Sequence, residues 1–443
     1  MYRLLIEFQL VLLLLYSKTT DRSLVVAISF CGNSGGQLAK TAVIPVVANT
    51  TTPTPEKLLI ILVNGFRWDY ADQLTDSGAG GGGGFSRVAA AGVRAPYVRP
   101  IFPQNSYPNW YAIFTGRYPE NYGHMYADDR ETDGDLFPMG QLPNYPNVSK
   151  DGHWRWRWRW SPQEVQPVWI TAEKNGRPTA MYGWDGCQPG IDNVTVSYCQ
   201  PYRPIGTDSD HPVAAAASAA ANQTRQYVRE ILDNFAANNS YQLALLYHEF
   251  VDYIGHTYGP ESPELWSAVR DVDSIVDQLF DDLKRLDLAN RVNVMIVSDH
   301  GMTQTSGYRL IYLNESIDFH SSVQLFLGSG SGARILPKLG TENEPNIDRK
   351  VYTESDGRRV PMLLAGAHGY DSDTNPDIRA IMYGFGPAFR RNYTLAEPLD
   401  MVDHYNLICR LLGLPAEANN GSANKIADML FFVCVLLYPK FKF

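Results

Sequence analysis

Val297-Ser298-Asp299-His300-Gly301-Met302 follows directly on the apolar run 292–297. A short run of this kind reads as a strand buried on both faces, so a carboxylate and an imidazole stand side by side where that strand ends. Two metal-ligand types at the mouth of a sheet point to a metallohydrolase. The pattern recurs. Asp252-Tyr253-Ile254-Gly255-His256 follows the apolar stretch 243–246, and Gly366-Ala367-His368-Gly369-Tyr370-Asp371 lies further on. Together they supply Asp252, His256, Asp299, His300 and His368, the ligand inventory of a two-metal site.

Working outward, short apolar runs predict strands at 58–63, 178–182, 243–247, 292–297 and 379–385, with helices at 212–235, 263–286 and 401–412. Strands alternating with helices predict an α/β domain with a largely parallel central sheet flanked by helices. In such a sheet ligands gather at the carboxyl ends of the strands, which is where each metal-type motif falls.

The 443 residues, 44% of them hydrophobic, suffice for one large core. Lys and Arg number 38 against 47 Asp and Glu, a formal charge of −9, and no basic stripe tracks a phosphate backbone. A nucleic-acid polymer is therefore excluded as partner. The apolar run 10–16 after Arg3 reads as the core of a signal peptide, with a second apolar stretch at 24–31. Eight Asn-x-Ser/Thr sequons (Asn49, Asn147, Asn193, Asn222, Asn238, Asn314, Asn392 and Asn420) fit a secretory route. Of five cysteines, Cys187 and Cys199 enclose a short loop and either bridge or remain as free thiols; Cys31 and Cys434 are not paired from sequence.

The organisation expected is a leader over 1–31, a linker over 32–57, a catalytic domain over 58–422 and an apolar tail over 423–443. The glycine run 78–84 lacks the spacing of a phosphate-binding fingerprint and reads as a surface loop. The Trp/Arg alternation at 154–160 has the period of a strand and reads as an exposed hairpin edge.

The predicted strand 58–63 runs into Asn64-Gly65-Phe66-Arg67, and Asn105-Ser106-Tyr107-Pro108-Asn109-Trp110-Tyr111 leads into a predicted helix that reaches Thr115-Gly116. A hydroxyl at a helix N-terminus beside a cation is placed to ionise and attack phosphorus, since dipole and cation both favour the alkoxide. Taken alone, Ser106 reads as a helix cap without chemistry.

Taken in order, these motifs resemble the nucleotide pyrophosphatase/phosphodiesterase family, whose fold is alkaline-phosphatase-like. The resemblance runs from about residue 58 to 422 and includes Tyr118-Pro119-Glu120, Tyr258-Gly259-Pro260 and Asn419-Asn420-Gly421. It implies that Asp252, His256 and His368 hold one zinc, and that Asn64, Ser106, Asp299 and His300 hold a second. It further implies Ser106 as nucleophile, a phosphoseryl intermediate, and Asn109 as a substrate-binding residue.

Most of the family uses threonine as nucleophile. Serine here resembles the glycerophosphocholine cholinephosphodiesterase branch, as do Tyr247-His248-Glu249, Trp184 near Cys187, Cys199 and His368-Gly369-Tyr370-Asp371. That branch implies small-molecule or lysolipid choline-phosphate esters as substrates, such as glycerophosphocholine and lysophosphatidylcholine. Tyr247 is then the candidate cage residue for a quaternary ammonium; a buried strand-end tyrosine is the alternative. Choline-specific relatives exchange an apolar tail for a lipid anchor at the membrane surface, and the run 429–438 resembles such a tail. The alternative is a final amphipathic helix. The location implied is secreted or cell-surface.

Three features depart from the family. Asn64 stands where the family has Asp, Ala127 falls where it has a phosphate-holding Asn, and the stretch between Leu339 and His368 is short. Together they imply a weakened enzyme, a pseudoenzyme or a sequence that has lost residues, and Asn64, which brings no charge, implies a weakened second zinc. Nucleotide hydrolysis and a catalytically impaired protein are the alternative readings.

Overall fold

The computed structural model describes the strands Leu10–Leu15, Leu24–Phe30 and Ala42–Val46, then residues 57–76, 83–119, 165–202, 213–237, 241–306, 318–327, 334–338 and 365–431, with single gaps at 103, 185 and 189. Ala127, the Trp/Arg alternation, most of the glycine run, the short stretch 339–364, Cys31, Cys434 and the sequons at Asn49, Asn147, Asn238 and Asn314 lie outside the described residues.

The chain divides into two compact units, Met1–Thr54 with Phe431–Phe443, and Pro55–Leu430. In the first, the three N-terminal strands form an antiparallel sheet in sequence order. The expected linker thus contains the strand Ala42–Val46. The second unit extends past Ser422. Met429 and Leu430, assigned from sequence to the apolar tail, are instead buried, and Arg390 N donates to the Met429 carbonyl at 2.9 Å. Side chains of that size are more stable sealed into a core than left in water.

The second unit is built on eight strands: β1 (Lys57–Val63), β2 (Gly92–Arg94), β3 (Thr179–Trp184), β4 (Tyr198–Pro201), β5 (Leu243–His248), β6 (Val292–Val297), β7 (Met382–Phe385) and β8 (Tyr393–Thr394). Their order is β8-β2-β7-β6-β1-β5-β3-β4. Every neighbouring pair is parallel except the two made by β7, which runs against β6 and β2. This is the alkaline-phosphatase-like architecture: a mostly parallel mixed sheet flanked by helices.

The main helices among the described residues are α1 (Tyr70–Asp76), α2 (Gly84–Ala91), α3 (Ser106–Thr115), α4 (Val168–Lys174), α5 (Val213–Ala236), α6 (Phe250–Tyr258), α7 (Pro263–Arg285) and α8 (Asp403–Leu412). Alternate residues of β1 serve the two faces of the sheet, as the pleat requires. Leu58, Ile60 and Leu62 pack with α3, α4 and α8, whereas Leu59, Ile61 and Val63 pack with α2, α5, α6 and α7. Helix α7 shows how sequence sets one of these covers. Ser262 caps it by accepting from Leu265 N, Pro263 occupies its first turn, and Lys284 and Arg285 close its carboxyl end. Its stripe Leu265, Val269, Val272, Val276, Leu279 and Leu283 is buried.

Two buried histidines make the fold acid-sensitive. Burial, then the neighbouring Arg225 charge, pushes His248 down to about 4, and burial alone pushes His404 down to about 4. Both are neutral in the folded protein, and the unfolded chain takes up their protons below the ordinary value of 6.5. The stability present above pH 6.5 is therefore lost as pH falls toward 4, by roughly 2 kcal/mol per histidine at pH 5. Urea unfolding at pH 7.5 and pH 5 measures this, and a His248→Gln/His404→Gln variant is expected to show a much flatter dependence.

Candidate active site

The carboxyl ends of β1, β5 and β6 lie level, with Val63 paired to His248 and Val297 to Leu62. Each strand delivers its motif to that edge: Asn64 after β1, Asp252 and His256 on α6 after β5, and Asp299 and His300 after β6. His368 arrives from Gly366–Ala367, which pairs antiparallel with Thr303–Gln304 just beyond the β6 motif.

Asp252, His256 and His368 converge, with one potential ligand atom from each lying within 4.8 Å of the others. Asp252 Oδ1 is 3.5 Å from His256 Nε2 and 3.7 Å from His368 Nε2. A tetrahedral zinc bound at about 2.0–2.1 Å holds its ligand atoms about 3.4 Å apart, so this donor set fits one cation. The imidazoles are also in the required tautomer. His256 Nδ1 donates to the Gly366 carbonyl at 2.8 Å, and His368 Nδ1 donates to the Gln104 carbonyl at 2.6 Å. A carbonyl can only accept, so the lone pair of each neutral ring falls on Nε2.

The second group lies alongside. The His300 and His368 rings stack at 3.6 Å between centroids. His300 Nδ1 donates to the Gly301 carbonyl at 2.9 Å, which again leaves Nε2 as acceptor, and Ser106 Oγ is 3.2 Å from it. Asn64 Nδ2 donates to Ser106 Oγ at 3.4 Å and to the Tyr247 hydroxyl at 2.8 Å, while Asn64 Oδ1 is buried without a hydrogen-bond partner. Asp299 accepts from Gly65 N, His300 N and Trp110 Nε1 at 3.2, 3.0 and 2.7 Å. Burial, then the neighbouring Asp252 charge, pushes the Asp299 carboxyl up to about 7. A cation relieves both a buried carboxylate pressed by a second one and an orphaned amide oxygen, so Asn64, Asp299 and His300 also fit a metal.

Ser106 is the first residue of α3, with Asn105 as the cap and Gly116 closing the helix in the left-handed conformation at φ 68°. Its hydroxyl thus meets both the helix dipole and His300 Nε2. Gly65 draws the two groups together. At φ +71° it adopts a conformation that favours glycine, and a Cβ there would stand 2.8 Å from Asp252 Cα and 2.9 Å from Asp252 Oδ1. Gly65→Ala is expected to cost roughly 1–2 kcal/mol in backbone strain and to displace Asp252. Zinc titration and urea unfolding of the variant measure the two effects, and unchanged zinc affinity would show that Asp252 tolerates the shift.

The family model described as type I phosphodiesterase / nucleotide pyrophosphatase matches residues 58–371. The chain belongs to this family. It is similar to ectonucleotide pyrophosphatase/phosphodiesterase family member 5 of Homo sapiens, 28% identical over 85% of this chain and 79% of that protein. It also resembles a bis(5'-adenosyl)-triphosphatase of Xenopus laevis, 29% identical over 86% of this chain and 82% of the relative. Among solved structures, murine family member 5, an inactive form in complex with AMP, superimposes with a TM-score of 0.62 at 27% identity, covering 85% of this chain and all of the other. The chain is accordingly a hydrolase acting on phosphoric diester bonds, in a family that is typically metal-dependent.

Against this family's pattern, two readings of substrate contacts change. Asn109, expected at the substrate, is fully buried with both ends of its amide committed. Its Oδ1 accepts from Ile101 N at 2.8 Å and its Nδ2 donates to the Asn105 carbonyl at 3.0 Å, so it braces the turn that presents Ser106. Tyr247 is 5% exposed, with its ring 4.9 Å from Trp110, 5.8 Å from Tyr202 and 6.0 Å from Trp184, and its hydroxyl on Asn64. Trp110 carries a role that sequence reasoning missed, the contact to Asp299. Its position one helical turn after Ser106 was the available signal. The carbonyl of Gln104 was also missed, and backbone acceptors leave no mark in a sequence. Cys187 and Cys199 form a disulfide with a Cα separation of 5.5 Å.

Proposed function

We propose that the chain hydrolyses nucleotide phosphodiester or pyrophosphate bonds outside the cell, with Ser106 as nucleophile and two zinc ions. The observation that carries this reading is the Ser106 hydroxyl at a helix N-terminus, 3.2 Å from His300 Nε2 and beside the Asp252, His256 and His368 cluster. Zinc bound to the two groups would neutralise phosphoryl charge and favour the serine alkoxide. The chain's own residues do the rest. Without a cation His300 Nε2 receives the hydroxyl hydrogen bond, and that lone pair is the one it would give to zinc; Asn64 Nδ2 donates to the serine oxygen, and Trp110 and the Gly65 amide hold Asp299 in place. Attack by Ser106 Oγ forms a serine–nucleotide phosphodiester, with the hydroxyl proton and the displaced alcohol or phosphate leaving; water then cleaves the Ser106 O–P bond, freeing the nucleoside monophosphate and restoring the hydroxyl.

Nucleotides come first as substrates because the relatives are named for them and one is complexed with AMP. A choline-phosphate ester is the second reading, supported by serine at position 106 and by the aromatic residues around Tyr247. The near-complete burial of that ring weighs against its use as a cage wall. Rates on a p-nitrophenyl nucleoside 5'-monophosphate and on p-nitrophenyl phosphocholine separate the two. We expect kcat/KM to favour the nucleotide at least about tenfold, equivalent to about 1.4 kcal/mol. Preference for the choline ester would reverse the order.

Secretion is supported by the sequons, the disulfide and the apolar leader. Among the described residues no helix is long and apolar enough to cross a membrane. A lipid anchor on the tail remains a separate proposal, tested by release from cells with a phospholipase.

Asn64 brings no formal charge to the second cation. Asn64→Asp is therefore expected to raise both the affinity for the second zinc and the turnover by about tenfold, one pKa unit of alkoxide stabilisation. Zinc competition with a chromophoric chelator, alongside steady-state rates, checks this. Native turnover equal to that of Asn64→Asp would show that the amide is not limiting.

A further inference from the structure

A sheet covered by helices on both faces is still open at its two edge strands, whose outward backbone groups can pair with another chain. Here the edges are β4 and β8, each of which pairs on one side only among the described residues. A sequon asparagine precedes both. Asn193 lies just ahead of β4 and Asn392 immediately before β8. Both are exposed, and both hold the left-handed conformation that asparagine tolerates, at φ 62° and 48°. Asp192 and Asn193 form the tip of a two-residue turn, closed by reciprocal backbone hydrogen bonds of 2.9 Å between Ile191 and Val194 and anchored by Lys174 on Asp192 at 2.7 Å. The third residues of these sequons, Thr195 and Thr394, are exposed as well. The sequon at Asn222 differs. It lies inside α5, which covers a face of the sheet, and Thr224 is 5% exposed with its hydroxyl hydrogen-bonded to His248 Nδ1.

We propose that Asn193 and Asn392 carry N-linked glycans that cover the two sheet edges and keep copies of this chain from pairing edge to edge. The proposal rests on the extracellular reading, because the secretory route supplies the sugar. In the transfer, Nδ2 bonds to the anomeric carbon of an oligosaccharide, the bond from that carbon to a lipid pyrophosphate carrier breaks, and the amide gives up one proton. The two edges differ in their need for cover. β4 presents Tyr198, Cys199, Gln200 and Pro201 without a charge, whereas β8 is two residues long and follows Arg390 and Arg391. Short and charged edges already resist pairing, so the sugar on Asn193 matters more.

Glycopeptide mapping of the protein secreted from a eukaryotic host is expected to find both positions occupied. In sedimentation velocity, Asn193→Gln is expected to self-associate at concentrations about tenfold below native, Asn392→Gln to shift less, and Asn222→Gln to match native. Enzymatic removal of glycans from the folded native protein is expected to reproduce the Asn193→Gln result, which separates edge cover from any need for sugar during folding. Hydrogen exchange identifies the surface, since amides within 198–200 should slow in the associated form. An empty Asn193 in a chain whose other sequons are occupied overturns the proposal while the extracellular reading stands. Association unchanged after glycan removal, or association without slower exchange at 198–200, overturns it as well. If no sequon carries sugar, the extracellular reading fails and takes this inference with it.

Discussion

Ser106→Ala is expected to lower turnover on the order of 10⁴-fold or more, as removal of a nucleophile does elsewhere, while the protein remains folded and keeps its first zinc. The substitution removes only Oγ. The hydroxyl's contacts are to His300 Nε2 and Asn64 Nδ2, whereas the Asp252, His256 and His368 cluster is assembled by other segments. Alanine suits the first turn of α3, because the cap position belongs to Asn105. The measurements are kcat with a nucleotide ester, zinc content per chain, and trapping of a serine-linked nucleotide by acid quench in the native protein only. Turnover within tenfold of native would assign the attack to water or to another side chain.

Asp252→Asn is expected to weaken the first zinc by more than about 100-fold, since loss of residues that merely orient a ligand already costs about 10–100-fold. Asp252 is the one negatively charged member of its donor set, and both histidines face it, at 3.5 and 3.7 Å. Their rings are fixed by carbonyls and cannot move to compensate. The change also removes the charge that presses on Asp299, so the second group should retain its fold. Zinc retained after dialysis, and the rise in melting temperature on adding zinc, report the loss directly and without reference to activity. A stoichiometry and stabilisation unchanged from native would move the first cation off this cluster.

The sheet was legible because its parallel strands are buried on both faces, so 58–63, 243–247 and 292–297 stand out as short apolar runs. The ends were harder. The sequence suggested a strand from 379, but Met382 opens β7, because Ala380 N and the Ile381 amide are engaged by Val98 and by the Ser298 hydroxyl. The metal-type ligands were visible as residue types, but the helix Phe250–Tyr258 that sets Asp252 and His256 one turn apart was not among the predicted helices. The arrival of His368 beside them depends on the short pairing of Gly366–Ala367 with Thr303–Gln304, which no local pattern announces. Asn109 misled for a related reason. Its amide is the residue type that binds phosphate, but burial and two backbone contacts assign it to the turn before α3.

The three imidazoles at the site take their tautomers from the carbonyls of Gly366, Gln104 and Gly301, none of them from a side chain. Every amino acid carries that oxygen, so no point mutation can delete any of these three acceptors. Alanine scanning will therefore find Gln104 replaceable at its side chain even though its carbonyl orients His368. The site is correspondingly robust to side-chain change at Gln104, and vulnerable to insertions or deletions that shift the loops and to any side chain at Gly301 or Gly366, where backbone closes in. For anyone redesigning this site, loop length is the variable to hold fixed, and of the three carbonyl residues only Gln104 is open to change: a Cβ on Gly301 would stand 2.0 Å from the Asp377 carbonyl oxygen and one on Gly366 2.5 Å from that of Gly255.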